Sequence, residues 1–285
     1  MGWHRRAWRE IAIADAHMGD RLNRHFTVAL VMLSAIALFL PTRGQTFTRV
    51  AVEGRAMRML VSGSGESTVV FENGLGPPLE MWGKVQPHVS RFARTVSYDR
   101  AGVGLSENGP PPRDGQQIAG ELRDALRAAG LPPPYVMVGA SLGGLYIRVF
   151  AGAYPDDVSG MVLVDPTHDA DGVGRSRHPE LAVVRETAEQ ARRSRIPPGV
   201  PLVLIDAVSQ REVPFATGAI RELRAKNRLA IDAESRAYRA WLDTIPGARL
   251  IVTHDSGHNV PIEQPQLVVE TIREIVRSAA DRPRR

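Results

Sequence analysis

The chain has 285 residues, of which 43% are hydrophobic and 24% charged, a composition typical of a folded domain and not of a disordered chain. It contains no cysteine, which excludes thiol catalysis, thiolate metal ligands and disulfide bonds. The formal net charge is +5, but the basic residues are mixed with Asp and Glu along the whole chain. We therefore expect a solvated basic surface and no nucleic-acid partner.

The N-terminal part, residues 1–45, combines basic residues with an apolar stretch. Residues 26–40 carry no charge and follow Arg21 and Arg24, a pattern that resembles a secretory signal. The stretch is short for a membrane-spanning helix, which needs about 20 residues, yet no small-residue cleavage site follows it. We predict a signal peptide or an uncleaved anchor, and hence an exported or membrane-associated protein. A cytoplasmic protein with this stretch as a core helix is the alternative, and Met18 is a second candidate start.

Residues 46–285, the predicted catalytic domain, alternate between β-rich runs and helical patterns. Predicted strands cover 46–52, 57–61, 68–71, 95–98, 135–139, 160–164, 200–205 and 249–253. Predicted helices cover 81–92, 116–129, 142–153 and 264–279. This alternation predicts an α/β fold with a doubly wound, mostly parallel sheet of eight strands. Residues 168–199 and 207–246 interrupt the pattern, and we expect them to form a small cap or lid.

The sharpest motif is the run from Gly139 to Gly144, in which Ser141 lies between a predicted strand and a predicted helix. A serine at such a turn is held in a strained backbone conformation, and the residues two before and two after it need to be small. Gly139 and Gly143 meet this requirement. The turn presents the hydroxyl above the sheet, next to a helix N-terminus that favours negative charge. The motif therefore indicates that Ser141 is a nucleophile.

A nucleophilic serine needs a base within hydrogen-bond reach, and a carboxylate that orients the base. His258 directly follows the last predicted strand, which places it at the same edge of a doubly wound sheet as Ser141. Asp165 and Asp206 each end one of the two intervening strands, and both give the chain order Ser, Asp, His. We favour Asp165 as the third member; Asp206 stays open, and Glu212 is a distant third.

If the serine attacks an acyl carbon, the carbonyl oxygen becomes an oxyanion, which needs hydrogen-bond donors to stabilise it. One is expected to be the backbone N–H of Leu142, immediately after the nucleophile. The second is expected from the loop Asn73-Gly74-Leu75-Gly76, where glycine lets the backbone approach a substrate closely, and we select the Leu75 N–H. The sequence contains no metal-ligand cluster, phosphate loop or dinucleotide fingerprint. We therefore expect a small acyl substrate and no cofactor or metal.

Five segments in order give the chain, from about 56 to 280, a specific resemblance to a known family. They are Val69–Gly74, Tyr98–Ser106, 139–144, Met161–Asp165 and Ser256–Pro261. With these segments the chain resembles the α/β-hydrolase superfamily, in the group that includes bacterial esterases, lipases and lactonases. The resemblance implies a serine hydrolase of carboxylic esters that works through an acyl-enzyme.

The chain departs from the family pattern at two positions. Asn73 stands where the family usually has His before the glycine, and Ala140 stands where it usually has His before the nucleophile. Both departures concern the polarity of the pocket and the choice of substrate. An amidase, a lactonase, a carbon–carbon bond hydrolase or an acyltransferase would use the same residues, and a non-catalytic ligand-binding module is a further alternative. Because the motif carries Ser141 and not an aspartate, we do not expect the chemistry of dehalogenases or epoxide hydrolases.

Overall fold

The computed structural model describes residues 45–167, 178–208, 233 and 235–281. All of these belong to one unit, Arg43–Arg285. The predicted signal or anchor at 26–40, Glu212 and parts of both predicted cap segments lie outside the described residues. Among the residues that are described, no helix is long and apolar enough to span a membrane.

Eight strands form one sheet in the described part of the chain. They are β1 (Gln45–Val52), β2 (Arg55–Ser62), β3 (Thr68–Glu72), β4 (Arg94–Tyr98), β5 (Tyr135–Ala140), β6 (Val158–Val164), β7 (Leu202–Ala207) and β8 (Arg249–Thr253). Their order across the sheet is β1-β2-β4-β3-β5-β6-β7-β8. β2 pairs antiparallel with β1 and β4, and the other neighbours pair parallel. The predicted α/β fold with a mostly parallel sheet of eight strands is thus confirmed.

Helices cover both faces of the sheet, because successive side chains of a strand point to opposite sides. In the described part of the chain, the helices of ten or more residues are α1 (Gly115–Ala128), α2 (Gly143–Ala153), α3 (Val184–Arg193) and α4 (Pro265–Ala280). In β5, Tyr135 and Met137 pack in one core cluster with side chains of α1, α2 and α3. Val136 and Val138 pack in a second cluster with side chains of α4. The uninterrupted apolar run of β5 therefore reflects burial on both faces.

The helix predicted over 81–92 is wrong. The structure has a 3-10 turn at Leu79–Trp82 and a single α-helical turn at Gln86–Val89 instead. Gly83 and Pro87 explain the interruption, because glycine disfavours the helical conformation and proline has no N–H for the helical ladder. The apolar side chains still face the sheet, and Trp82 is fully buried in the second core cluster.

Both predicted cap segments contain helices in their described parts. In the first segment, the turn Pro179–Ala182 is followed by α3, whose Thr187 hydroxyl accepts a hydrogen bond from the Gly115 N–H at 3.1 Å. In the second, residues 235–242 are helical, and the Tyr238 hydroxyl donates to the carbonyl of Pro166. The second segment therefore contacts the loop that follows β6, at the carboxyl edge of the sheet.

Candidate active site

Ser141 lies in a sharp turn between β5 and α2. Its φ angle is +52°, in the left-handed region that non-glycine residues rarely adopt. A Cβ atom at Gly139 would lie 2.5 Å from the carbonyl oxygen of Gly143, and a Cβ atom at Gly143 would lie 2.5 Å from that of Glu72. Neither position can therefore hold a larger residue without a shift of the backbone. The two glycines allow the turn, and the turn raises the Ser141 side chain out of the sheet.

Hydrogen bonds to neighbouring elements hold the strained turn in place. The Ser141 N–H donates to the carbonyl of Val164, which ends β6, at 3.1 Å. The Ser141 carbonyl accepts from the N–H groups of Gly144 and Thr167, each at 2.9 Å. Strain at a serine turn persists only where the surroundings determine the conformation. Here the end of β6, the following loop and the first turn of α2 together provide this constraint.

His258 lies in the loop after β8, and its imidazole contacts two other sequence-predicted residues. Its Nε2 is 2.9 Å from the Ser141 Oγ, and its Nδ1 is 2.6 Å from the Asp165 Oδ2. The His258 side chain is 58% exposed, so the imidazole is open to solvent. The loop is tied to the helical turn that follows by a 3.1 Å bond from the Gly257 N–H to the Glu263 carboxylate.

Asp165 is the first residue after β6, and its backbone and side chain are both held. Its φ angle is +42°, and its N–H donates to the carbonyl of Ile205 in β7 at 2.7 Å. One carboxylate oxygen accepts from the Ala207 N–H at 2.9 Å, and the other faces His258. Such an arrangement orients an imidazole and stabilises its cation.

Asp206, the alternative acid, lies in β7 and makes a different contact. Its carboxylate accepts a hydrogen bond from the Ser235 hydroxyl of the second predicted cap segment. Asp206 is only 4% exposed. Burial raises the pKa of this carboxyl, while the Ser235 hydrogen bond opposes the shift in part. The structure thus brings Ser141, His258 and Asp165 together and gives Asp206 a separate partner.

The raised pKa of Asp206 leads to a prediction about stability. Between the ordinary pKa of an unfolded aspartate and its raised value in the fold, the folded protein holds a proton that the unfolded chain has lost. The free energy of unfolding contributed by this group therefore falls as the pH rises through that window. Asp206→Asn should not show this loss, so its stability relative to wild type should increase with pH. Urea unfolding of both proteins between about pH 4 and pH 8 measures the difference, and parallel curves would contradict the prediction.

The two predicted oxyanion donors belong to residues that follow Ser141 and Gly74 in the chain. Leu142 follows Ser141 directly and immediately precedes α2. Leu75 follows Gly74, and a Cβ atom at Gly74 would lie 3.2 Å from the Ser141 Cβ. The loop after β3 thus packs against the nucleophile, at a distance that glycine permits. The roles of the Leu142 and Leu75 N–H groups stay predictions.

The structure also contains a buried charged cluster to which sequence reasoning assigned no role. Arg100 is 1% exposed and contacts the carboxylates of Glu72 and Glu180 at 2.6 and 2.8 Å. The Tyr98 hydroxyl donates to Glu72, and the Tyr146 ring lies 4.9 Å from the guanidinium. Burial raises the pKa of Glu72, and the nearby Arg100 opposes that shift. The signal in the sequence was a charged residue at or just after the end of a strand, since Glu72 ends the run from Val69 and Arg100 is the second residue after Tyr98.

The side chains of Ser141, His258 and Asp165 have the arrangement that nucleophilic chemistry requires. A hydroxyl bonded to an imidazole, whose second nitrogen faces a carboxylate, can be deprotonated as it attacks an electrophile. Within residues 45–167, 178–208 and 235–281, no group of three or more His, Asp or Glu side chains could hold a metal ion.

Comparisons with known proteins agree with this fold. A model of the α/β-hydrolase fold family matches residues 67–194. The uncharacterized protein YqjL of Bacillus subtilis is 36% identical over 104 residues, which cover 36% of this chain and 41% of YqjL. The uncharacterized protein YbdG of the same organism is 31% identical over 150 residues, which cover 48% of this chain and 46% of YbdG. The chain thus spans less than half the length of each of these relatives.

A solved structure extends the likeness over most of the chain. The crystal structure of carboxylesterase CesB from Bacillus subtilis superposes with a TM-score of 0.56 at 18% identity, covering 85% of this chain and 94% of CesB. At this identity the likeness concerns the fold. The eight-stranded sheet, the family model matched over residues 67–194 and this structural neighbour together show that the chain has the α/β-hydrolase fold.

Proposed function

We propose that the chain is a serine hydrolase that cleaves carboxylic esters through an acyl-enzyme. The observation that carries the proposal is the continuous hydrogen-bonded series from the Ser141 Oγ through His258 to Asp165, with contacts of 2.9 and 2.6 Å. The imidazole has one nitrogen on the hydroxyl and the other on a carboxylate. This is the arrangement that general-base activation of a serine requires.

In the proposed reaction, His258 takes the hydroxyl proton as the Ser141 Oγ forms a bond to the acyl carbon. The carbonyl oxygen becomes an oxyanion, which the Leu142 and Leu75 N–H groups would stabilise. His258 then gives its proton to the alcohol oxygen as the carbon–oxygen bond breaks. Water attacks the acyl-enzyme with His258 again as base, which releases the acid and restores Ser141. Ester and water are the only reactants.

Other activities on the same residues differ in what reacts with the acyl-enzyme or in which bond breaks. An amidase, a lactonase and a carbon–carbon bond hydrolase would share the attack by Ser141. An acyltransferase would pass the acyl group to an alcohol, so product analysis with and without an alcohol acceptor distinguishes it from a hydrolase. A ligand-binding module has no use for a serine bonded to a carboxylate-oriented imidazole, and the contacts of His258 favour an enzyme for that reason.

The test combines labelling of the nucleophile with turnover. A fluorophosphonate should modify the protein once, and peptide mapping should find the label on Ser141. His258→Ala should label much more slowly, because the hydroxyl has lost its base. A series of p-nitrophenyl esters of increasing acyl length then measures hydrolysis. A label on another residue, or folded protein that hydrolyses none of the esters, would contradict the proposal.

A further inference from the structure

Arg100 makes contact with the backbone of the loop that carries the predicted oxyanion donor. Its Nη1 donates to the Asn73 carbonyl and its Nη2 to the Gly74 carbonyl, both at 2.8 Å. The guanidinium is 1% exposed, so these bonds form away from solvent. Hydrogen bonds between a charged donor and a buried acceptor are about twice as strong as neutral ones. Arg100 therefore fixes the direction of two successive carbonyls in this loop.

The direction of a carbonyl also fixes the direction of the following N–H. In a trans peptide the C=O and N–H point in opposite directions, and the bond between Gly74 and Leu75 is trans. With the Gly74 carbonyl held on Arg100, the Leu75 N–H points away from the guanidinium. Gly74 also lies next to Ser141, because a Cβ atom added to the glycine would lie 3.2 Å from the Ser141 Cβ. A substrate at Ser141 would thus meet the face of the loop that carries N–H groups.

The remaining contacts of Arg100 hold its guanidinium in one orientation. Glu180, in the first cap segment, accepts from Nε and Nη2 in a bidentate pair, each at 2.8 Å. Glu72 accepts from Nη1 at 2.6 Å and is itself bonded to the Tyr98 hydroxyl. These bonds use the planar fork of donors that distinguishes arginine from lysine. A lysine at this position keeps the positive charge but cannot hold two carboxylates and two carbonyls together.

We propose that Arg100 is a positioning residue for the oxyanion, because it turns the Leu75 N–H towards the substrate carbonyl at Ser141. Glu72 and Glu180 hold the guanidinium in one orientation. Because Glu180 lies in the first predicted cap segment, that segment helps to position the loop 73–75 that carries the Leu75 N–H. The inference rests on the proposed serine hydrolase and adds a residue that acts on the reaction through the backbone.

Arg100→Lys tests this role against a matched control. Arg113→Lys alters another buried arginine that forms a bidentate pair, with Glu121 at 2.6 and 2.8 Å, and no bond from Arg113 to the loop 73–75 is seen among the described residues. Active sites are titrated with a fluorophosphonate, and ester turnover is measured per active site. For Arg100→Lys we expect kcat to fall by about 10²-fold with KM little changed, as for loss of one oxyanion donor. The affinity for a boronic acid, whose tetrahedral adduct places an oxygen at the same donors, should fall in parallel. Arg113→Lys should keep wild-type kcat per active site.

If Arg100→Lys does not fold, the double variant Arg100→Gln, Glu180→Gln replaces it, because it removes one charge of each sign and leaves the net charge of the cluster unchanged. Equal kcat per active site and equal boronic acid affinity in wild type and variant would overturn the role of Arg100 but would leave the proposed serine hydrolase unaffected. Wild-type protein that is labelled on Ser141 but hydrolyses no ester would contradict the proposed substrate class, while the boronic acid affinities of wild type and Arg100→Lys still decide the role of Arg100. Absence of labelling in the wild type would contradict both.

Discussion

Ser141→Ala should lower kcat for a p-nitrophenyl ester by about 10⁶-fold, because the variant has no hydroxyl to form the acyl-enzyme. The imidazole of His258 and the carboxylate of Asp165 remain, but they act on the reaction through the serine and have little effect without it. Residual turnover would reflect substrate binding and the oxyanion donors alone. The measurement is steady-state hydrolysis by purified variant, with fluorophosphonate titration to exclude contaminating wild-type enzyme.

A matched serine elsewhere serves as the control for this variant. The Ser90 hydroxyl donates to the Pro87 carbonyl in its own turn at 3.0 Å, an ordinary local bond. Ser90→Ala should therefore keep wild-type turnover and should still be labelled at Ser141. Ser141→Ala that retains turnover within an order of magnitude of wild type would show that another residue is the nucleophile.

Asp165→Asn should lower kcat by about 10⁴-fold, and the contacts of Asp165 supply the reason. One oxygen of the carboxylate accepts from the Ala207 N–H at 2.9 Å. In the variant, the amide oxygen would keep this bond, so the amide NH₂ would face the Nδ1 of His258. The imidazole would then carry its proton on Nε2, towards Ser141, and could not act as a base. The carboxylate that stabilises the imidazolium would be lost as well.

Asp206→Asn is the matched control, since Asp206 lies in the neighbouring strand β7 but bonds to Ser235. This variant should keep most of the wild-type kcat. Measurement of kcat for both variants on one ester decides between the two acids that the sequence leaves open. A large loss in Asp206→Asn with near-normal turnover in Asp165→Asn would reverse the assignment.

Both predicted cap segments contact residues next to the candidate site, near the loop 73–75 and near Asp165. In the second predicted cap segment, the Ser235 hydroxyl donates to Asp206, and the Tyr238 hydroxyl donates to the carbonyl of Pro166, the residue after Asp165. Glu180 of the first segment contacts Arg100 beneath the loop 73–75. Both segments therefore touch the supports of the candidate site.

The sequence by itself determined the features that depend on neighbours along the chain. The apolar runs predicted the eight strands, since burial on both faces leaves an uninterrupted pattern, and the small residues around Ser141 predicted the turn, since backbone sterics act over a few positions. Helix interruption at Gly83 and Pro87 was also readable locally, and the prediction over 81–92 failed by giving these residues too little weight.

Only the tertiary structure decided which groups meet across the chain. Asp165 directly follows β6 and Asp206 lies in the adjacent parallel strand β7, next to its last residue, so the two look alike in sequence. Their partners follow from side-chain directions and from a helix whose docking no local pattern encodes. The contact of Arg100 with Glu180 joins residues 80 positions apart. Its bonds to the Asn73 and Gly74 carbonyls leave no mark in the sequence, because a backbone acceptor is present at every residue.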